Sequence, residues 1–306
     1  MTPPDHIVNK RILVPLGLGL ILSLTGDATL YNVLPDPDIA AQAGVTLAMV
    51  GVLLGLNRLV RVVFNGLAGI LYDRMPRRGL LIASLAVGAV STMFYAAGRG
   101  ALPMLAGRAL WGLAWSGIWV GCNTVALDIS DDRNRGRVSG QLQMWFLLGV
   151  ALSSLAGGRF TDVFGYRSGL WISSALTLLG VVIWIVFLPE TRPAEGISGE
   201  EESKEGVAPL PWKPILAAAV PTFALRFVFA GVIYSTTILW LSQFIDGGIS
   251  VSRFFIPLAT LTGGFSAGRV LVSMTGAPAA GRLSDSSDRR WPVMAGIMVL
   301  AWWGCG

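Results

Sequence analysis

Residues 69–78 read Gly69-Ile70-Leu71-Tyr72-Asp73-Arg74-Met75-Pro76-Arg77-Arg78, a short charged stretch set between two long apolar runs. The run before it, 45–71, carries only Arg58 and Arg61, and the run after it, 79–98, carries no charge at all. A hydrocarbon layer roughly 30 Å thick is crossed by about 20 apolar residues in a helix. Two crossings joined by a charged turn on one membrane face therefore account for the whole of 45–98.

Further candidate spans lie on both sides, near 12–34, 101–127, 138–163, 168–188, 214–243 and 252–283, with a ninth starting near Pro292. The composition agrees: 53% of residues are apolar, 13% are charged and the mean hydropathy is +0.64, whereas a soluble domain is about a quarter charged. The chain reads as an all-α integral membrane protein, with the lipid bilayer as its first partner. Its two cysteines, Cys122 and Cys305, sit in apolar segments, which excludes a disulfide scaffold. In such a chain an excess of 23 basic over 18 acidic residues reports orientation before it reports nucleic acid, so no nucleic-acid partner is expected.

The basic residues fall on alternate connections. Lys10 and Arg11, then Arg74, Arg77 and Arg78, then Arg133, Arg135 and Arg137, then Arg192, Lys204 and Lys213, then Arg289 and Arg290 share one side, against Arg99 and Arg167 on the other. The positive-inside rule then places the amino terminus in the cytoplasm of a multi-pass cell-membrane protein. The stretch 189–213 is charged, rich in Gly and Pro and without apolar period, as expected of a cytoplasmic linker. It separates a six-helix bundle over 1–188 from a partial second bundle over 214–306.

A shift of 212 residues lays Ala68, Gly69, Leu71, Asp73, Arg77 and Arg78 on Ala280, Gly281, Leu283, Asp285, Arg289 and Arg290. Both stretches close the second span of their half, which points to internal duplication, and parallel repeats of six spans with a midplane site are a transporter architecture. The stretch 69–78 resembles the G-x-L-x-D-R-x-G-R-R signature of the major facilitator superfamily, with Pro76 in place of the usual Gly. Gly281-Arg-Leu-Ser-Asp285 is similar to a second, weaker copy; Asp128 with Arg135-Gly136, and Pro189-Glu190-Thr191-Arg192, resemble two other junctions of that family. The resemblance implies two bundles of six spans, so that the chain stops inside the ninth, either as a fragment or as a truncated product. It also implies a secondary active or facilitative transporter of a small solute, coupled to a proton or another ion or uncoupled; a truncated, non-transporting binding or assembly subunit is the alternative. The family's drug–proton antiporters carry Gly-Pro ahead of a Gly-Gly pair, whereas Ser153-Ser154 precedes Gly157-Gly158 here, which weakens that particular reading of efflux.

Charges within a membrane are costly and mark sites. Asp27 on the first span and Arg108 on the fourth share a depth of roughly 10 Å at about 1.5 Å per residue, and Arg108 with Gly112 matches the family's Arg-x-x-x-Gly. They are candidates either for proton or substrate coupling or for a fixed packing pair. Arg58 and Arg61 project from one helical face, and with Arg108, Arg226 and Arg269 they outnumber Asp27 as the intramembrane carboxylate. That balance leans toward an organic anion, since guanidinium groups match carboxylates and phosphates. Trp111, Trp115 and Trp119 form a stripe on the fourth span, either as walls for an amphipathic solute or as ordinary packing, and Gly51-x-x-x-Gly55 and Gly117-x-x-x-Gly121 permit close helix approach. Gly69, Asp73, Arg74, Arg77, Arg78 and Asp128, with Gly281, Asp285 and Arg289 in the second copy, are the candidate gating residues, Asp128 being a partner for Arg74 or Arg77. The sole histidine, His6, lies in the tail and no G-x-x-x-x-G-K occurs, so neither an enzyme, a metal site nor a bound cofactor is expected.

Overall fold

The computed structural model describes residues 5–131 and 135–192, and a discontinuous set between 216 and 271 that includes 248–251 and 254–268. Seven helices make up the first half in order: α1 (Asp5–Val33), α2 (Pro37–Ala43), α3 (Leu47–Arg74), α4 (Arg77–Ala97), α5 (Ala101–Asp128), α6 (Arg135–Phe164) and α7 (Tyr166–Phe187). The six long ones match the six expected spans of the first bundle. Five of them, all but α5, are long and apolar enough by composition to cross a membrane. α5 is the same length as α3 but carries three Trp where α3 has none, and it is lined with buried residues from Met104 to Ala126.

The ends of α2 and the start of α3 have local causes. The Asp36 side chain accepts hydrogen bonds from the N–H groups of Asp38 and Ile39, Pro37 opens α2, and Gly44 closes it at φ 75°, a left-handed conformation that favours glycine. Thr46 caps α3 by accepting from the Met49 N–H. The acidic connection 34–46 thus contains a helical turn that hydropathy does not register.

α1 packs against α6 and α7, α5 packs against α3 and α4, and α4 joins the two groups through α7. One apolar cluster runs through Leu16, Leu20, Leu81, Leu85, Trp111, Ile118 and Trp184. A second, toward the opposite end, gathers Leu30, Leu34, Leu53, Tyr95, Met104 and Leu170. Gly117 lies against Ser84 and Gly121 against Tyr72 and Leu81, so closely that a β-carbon would collide. The small-residue pattern on α5 therefore serves its approach to α4 and to Tyr72 of α3. Gly51 and Gly55 on α3 face open space among the described residues.

The second half departs from expectation at one place. Hydropathy predicts an eighth span from 252, but β1 (Gly248–Val251) and β2 (Phe254–Pro257) form an antiparallel hairpin with Val251 opposite Phe254, and helix begins at 258. The run Phe254-Phe255-Ile256 is apolar in either conformation, and its aromatic and β-branched residues favour the extended one. The residues that follow, 258–268, are helical and lie against α6 and α1. Arg226, Arg269, Gly281, Asp285 and Arg289 lie outside the described residues.

Candidate functional site

α1 and α5 share few direct contacts, and a buried ion pair bridges them. Arg108 Nη1 donates to Asp27 Oδ1 at 2.6 Å; the arginine side chain is 0% exposed and the aspartate side chain 18%. Arg108 Nε donates to the Leu53 carbonyl on α3 at 3.0 Å, so three helices hold one guanidinium. Its face is covered by Tyr31, with the ring centroid 5.0 Å from Cζ, and by Tyr95 at 5.9 Å. Tyr31 in turn donates its hydroxyl to the Leu54 carbonyl. Gly112, one turn beyond Arg108, sits against the Asn57 carbonyl and Val60, which lets α3 come close enough for the Leu53 bond. Arg108 Nη2 is buried without a hydrogen-bond partner among the described residues.

Two of the other arginines expected within the membrane, both on α3, lie over aromatic rings. Arg58 lies over the Tyr31 ring at 5.9 Å, and Arg61 lies over the Trp115 ring at 5.9 Å. The tryptophan stripe is a continuous stack, with Trp111 and Trp115 5.8 Å apart and both buried. Trp111 is buried, with Gly88 of α4 beside its ring, and packs the bundle. Trp115 stacks on Trp119, and both meet Phe146 of α6 at 5.9 and 5.0 Å. An aromatic wall roofed by Arg61 thus stands between α5, α6 and α3.

The charged turn over 69–78 forms a second constellation at one end of the bundle. Arg77 Nε meets Asp128 Oδ2 at 3.2 Å, and Thr191 Oγ1 donates to the same oxygen. The expected partner of Asp128 is therefore Arg77, while the Arg74 carbonyl accepts from Arg192 Nη1 at 2.6 Å. Glu190, which its sequence context does not single out as a site residue, accepts the backbone N–H groups of Arg77 and Arg78 at 2.9 and 3.1 Å, and those of Thr191 and Arg192. It caps α4 from the far end of α7, where Pro76 offers no side-chain cap. Partial burial opposes its ionisation, yet the N–H groups of Arg192, Arg78, Arg77 and Thr191 together hold its carboxyl below the usual carboxylate value. Gly69 is half-buried and Asp73 is exposed at the end of α3.

At the opposite end the described part of the second half closes on α6. Thr260 donates its N–H to Asp162 Oδ2 at 2.7 Å and its hydroxyl to the same oxygen. Gly158 lies beneath Ala259, Gly263 lies beneath the Ser154 carbonyl, and Ser266 Oγ donates to Asn32 Oδ1 at 3.3 Å. Sequence reasoning misses Asp162 and Asn32 because each is a single polar residue at a span end. The Gly157-Gly158 pair does have a structural role, since Gly157 meets Thr29 of α1 and Gly158 meets the helix over 258–268.

The six-helix bundle has counterparts among known proteins. The Major Facilitator Superfamily model matches residues 16–306. The chain belongs to that superfamily. It is 28% identical over 174 residues to the inner membrane transport protein YajR of Escherichia coli, covering 56% of this chain and 38% of YajR. It is 20% identical over 220 residues to the quinolone resistance protein NorA of Staphylococcus aureus, covering 72% of this chain and 56% of NorA. The chain thus spans about half, or less, of the curated relatives it matches. Among solved structures, a bacterial homolog of the human lysosomal transporter Spinster, inward-facing and unoccupied, superposes with a TM-score of 0.68 at 17% identity, over 93% of this chain and 64% of that one. The human organic anion transporter MFSD10 gives 0.64 at 18% identity, over 90% and 71%. Both establish the fold: a six-helix bundle followed by part of a second.

Proposed function

We propose that this protein moves a small solute across the cell membrane by alternating access, as a proton-coupled secondary transporter whose coupling group is the Asp27–Arg108 pair. The division is a six-helix unit over 1–188, a cytoplasmic linker over 189–213 and a second bundle from 214, with the amino terminus in the cytoplasm. The observation that carries the reading is the asymmetry of the pair: Arg108 is sealed among three helices, while Asp27 keeps part of its surface open. A proton can therefore reach the acid without moving the base. Protonation removes the counter-charge from Arg108 and so raises the positive potential that an anionic solute meets beside Asp27. Arg58 and Arg61 add positive potential, and the partly exposed Trp119 and Phe146 add an aromatic surface, which favours an aromatic or amphipathic organic anion.

The test is flux in liposomes that contain the protein and an interior pH dye, challenged with a panel of aromatic carboxylates and sulfonates. Wild type is expected to move protons with at least one of them, and Asp27→Asn to abolish that coupling. Proton-coupled flux that survives in Asp27→Asn overturns the coupling assignment. Anion flux unchanged in Arg58→Gln and Arg269→Gln, with normal insertion, overturns the substrate class.

A further inference from the structure

We propose that a groove between the first turns of α1 and the end of α7 binds one anionic phospholipid. It is an open groove with a volume of about 950 Å³. α1 contributes Lys10, Arg11, Val14 and Leu18, and α7 contributes Ile183 and Phe187. The four α1 positions follow the helical repeat, so they form one stripe whose charged end is the amino-terminal one. Val14, Leu18 and Phe187 are 41%, 39% and 64% exposed, so the apolar part is open on the flank of the bundle among the described residues.

The charge argues for a lipid with a net negative headgroup. Lys10 and Arg11 stand at the mouth, both exposed, and no carboxylate among the described residues lines the groove. Glu190, beside the lining residue Pro189, is turned away to the N–H groups of α4. Two cations over an apolar trough that begins at a helix end match a phosphodiester above acyl chains. Lys10 and Arg11 also fit the positive-inside rule, which concerns orientation and makes no demand for an apolar trough beneath them. The lipid site is independent of the transported solute and of which face is cytoplasmic.

Native mass spectrometry of the full chain, released from bilayers of equal parts phosphatidylcholine and phosphatidylglycerol, tests it. One phosphatidylglycerol is expected to be retained per chain in preference to phosphatidylcholine. Lys10→Gln/Arg11→Gln is expected to weaken retention on the order of thirtyfold, from two basic residues near an anionic headgroup, and Lys10→Arg/Arg11→Lys to keep it. Leu18→Trp fills the trough while leaving both charges, and it is expected to lose the lipid as well. Equal retention of the two lipids by wild type, or wild-type retention in Leu18→Trp, overturns the site; the latter outcome assigns the binding to surface charge alone. If the neutralised variant fails to insert, the Leu18→Trp and charge-conserving variants still decide.

Discussion

At the scale of single residues, the Arg108 guanidinium has one carboxylate, one carbonyl and two aromatic faces around it and no exposure to solvent. Removing only its counter-ion leaves a buried charge uncompensated, at a cost of about 3–5 kcal/mol. Asp27→Asn is therefore expected to lower the thermal unfolding midpoint in detergent far more than an exposed substitution does. Removing both charges in Asp27→Asn/Arg108→Gln is expected to restore most of that loss, because a neutral pair carries little desolvation penalty. Transport separates the two roles left open by the sequence: a pair that only packs regains flux in the double variant together with stability, and a coupling pair regains stability alone. The partners themselves are readable from equal depth on two spans. What escapes the sequence are the covering groups, Tyr31, Tyr95 and the Leu53 carbonyl, which come from positions up to 77 residues away on helices whose rotation no hydropathy profile fixes.

At the scale of elements, glycines on α3 and α5 invite opposite outcomes from the same substitution. Gly121→Ala drives a methyl into Tyr72 and Leu81, and overpacking of this kind costs about 1–3 kcal/mol. Gly51→Ala and Gly55→Ala meet nothing among the described residues, and exchange of glycine for alanine inside a helix contributes up to about 1 kcal/mol of stability. Unfolding midpoints in detergent should fall for the first and hold or rise for the other two. A parallel contrast concerns α4, whose first turn is capped by Glu190. Because that carboxyl titrates lower in the fold than its ordinary value, its stabilising contribution is present above the ordinary carboxylate range and is lost as pH falls through the folded value. Glu190→Gln is expected to lower stability at neutral pH and to flatten the acid side of a stability-versus-pH curve. Six long helices and the charged turn are legible because apolar length is itself the membrane's requirement. The hairpin over 248–257 is not, since Phe254-Phe255-Ile256 reads as apolar whether it continues a span or precedes one. The Glu190 cap joins positions 112 and 113 residues apart, a distance that motif resemblance marks as conspicuous without saying what it touches.

At the scale of the whole molecule, the two ends of the first bundle are held differently. One end carries contacts within the bundle, Arg77 to Asp128 and Glu190 to α4. The other carries contacts from the bundle to the helix over 258–268, through Asp162, Asn32, Gly158 and Gly263. If two bundles rock about a midplane site, contacts internal to one bundle survive the motion while those between bundles must part. The seam over 151–162 is thus the place where a covalent link stops transport. Ala151 and Ala267 belong to one buried apolar cluster, so paired cysteines there, in a background lacking Cys122 and Cys305, are within reach of a short bifunctional thiol reagent. Cross-linking is expected to abolish flux in liposomes and reduction of a cleavable linker to restore it. A link between α4 and α5 placed away from the charged turn should leave flux intact, because those two helices pack within one bundle and move together. Flux that persists through a linked 151–267 pair would mean that this seam stays shut throughout the cycle, and the moving interface would then have to lie among contacts of α3, whose exposed Leu59, Val62 and Val63 form a further apolar face of the bundle.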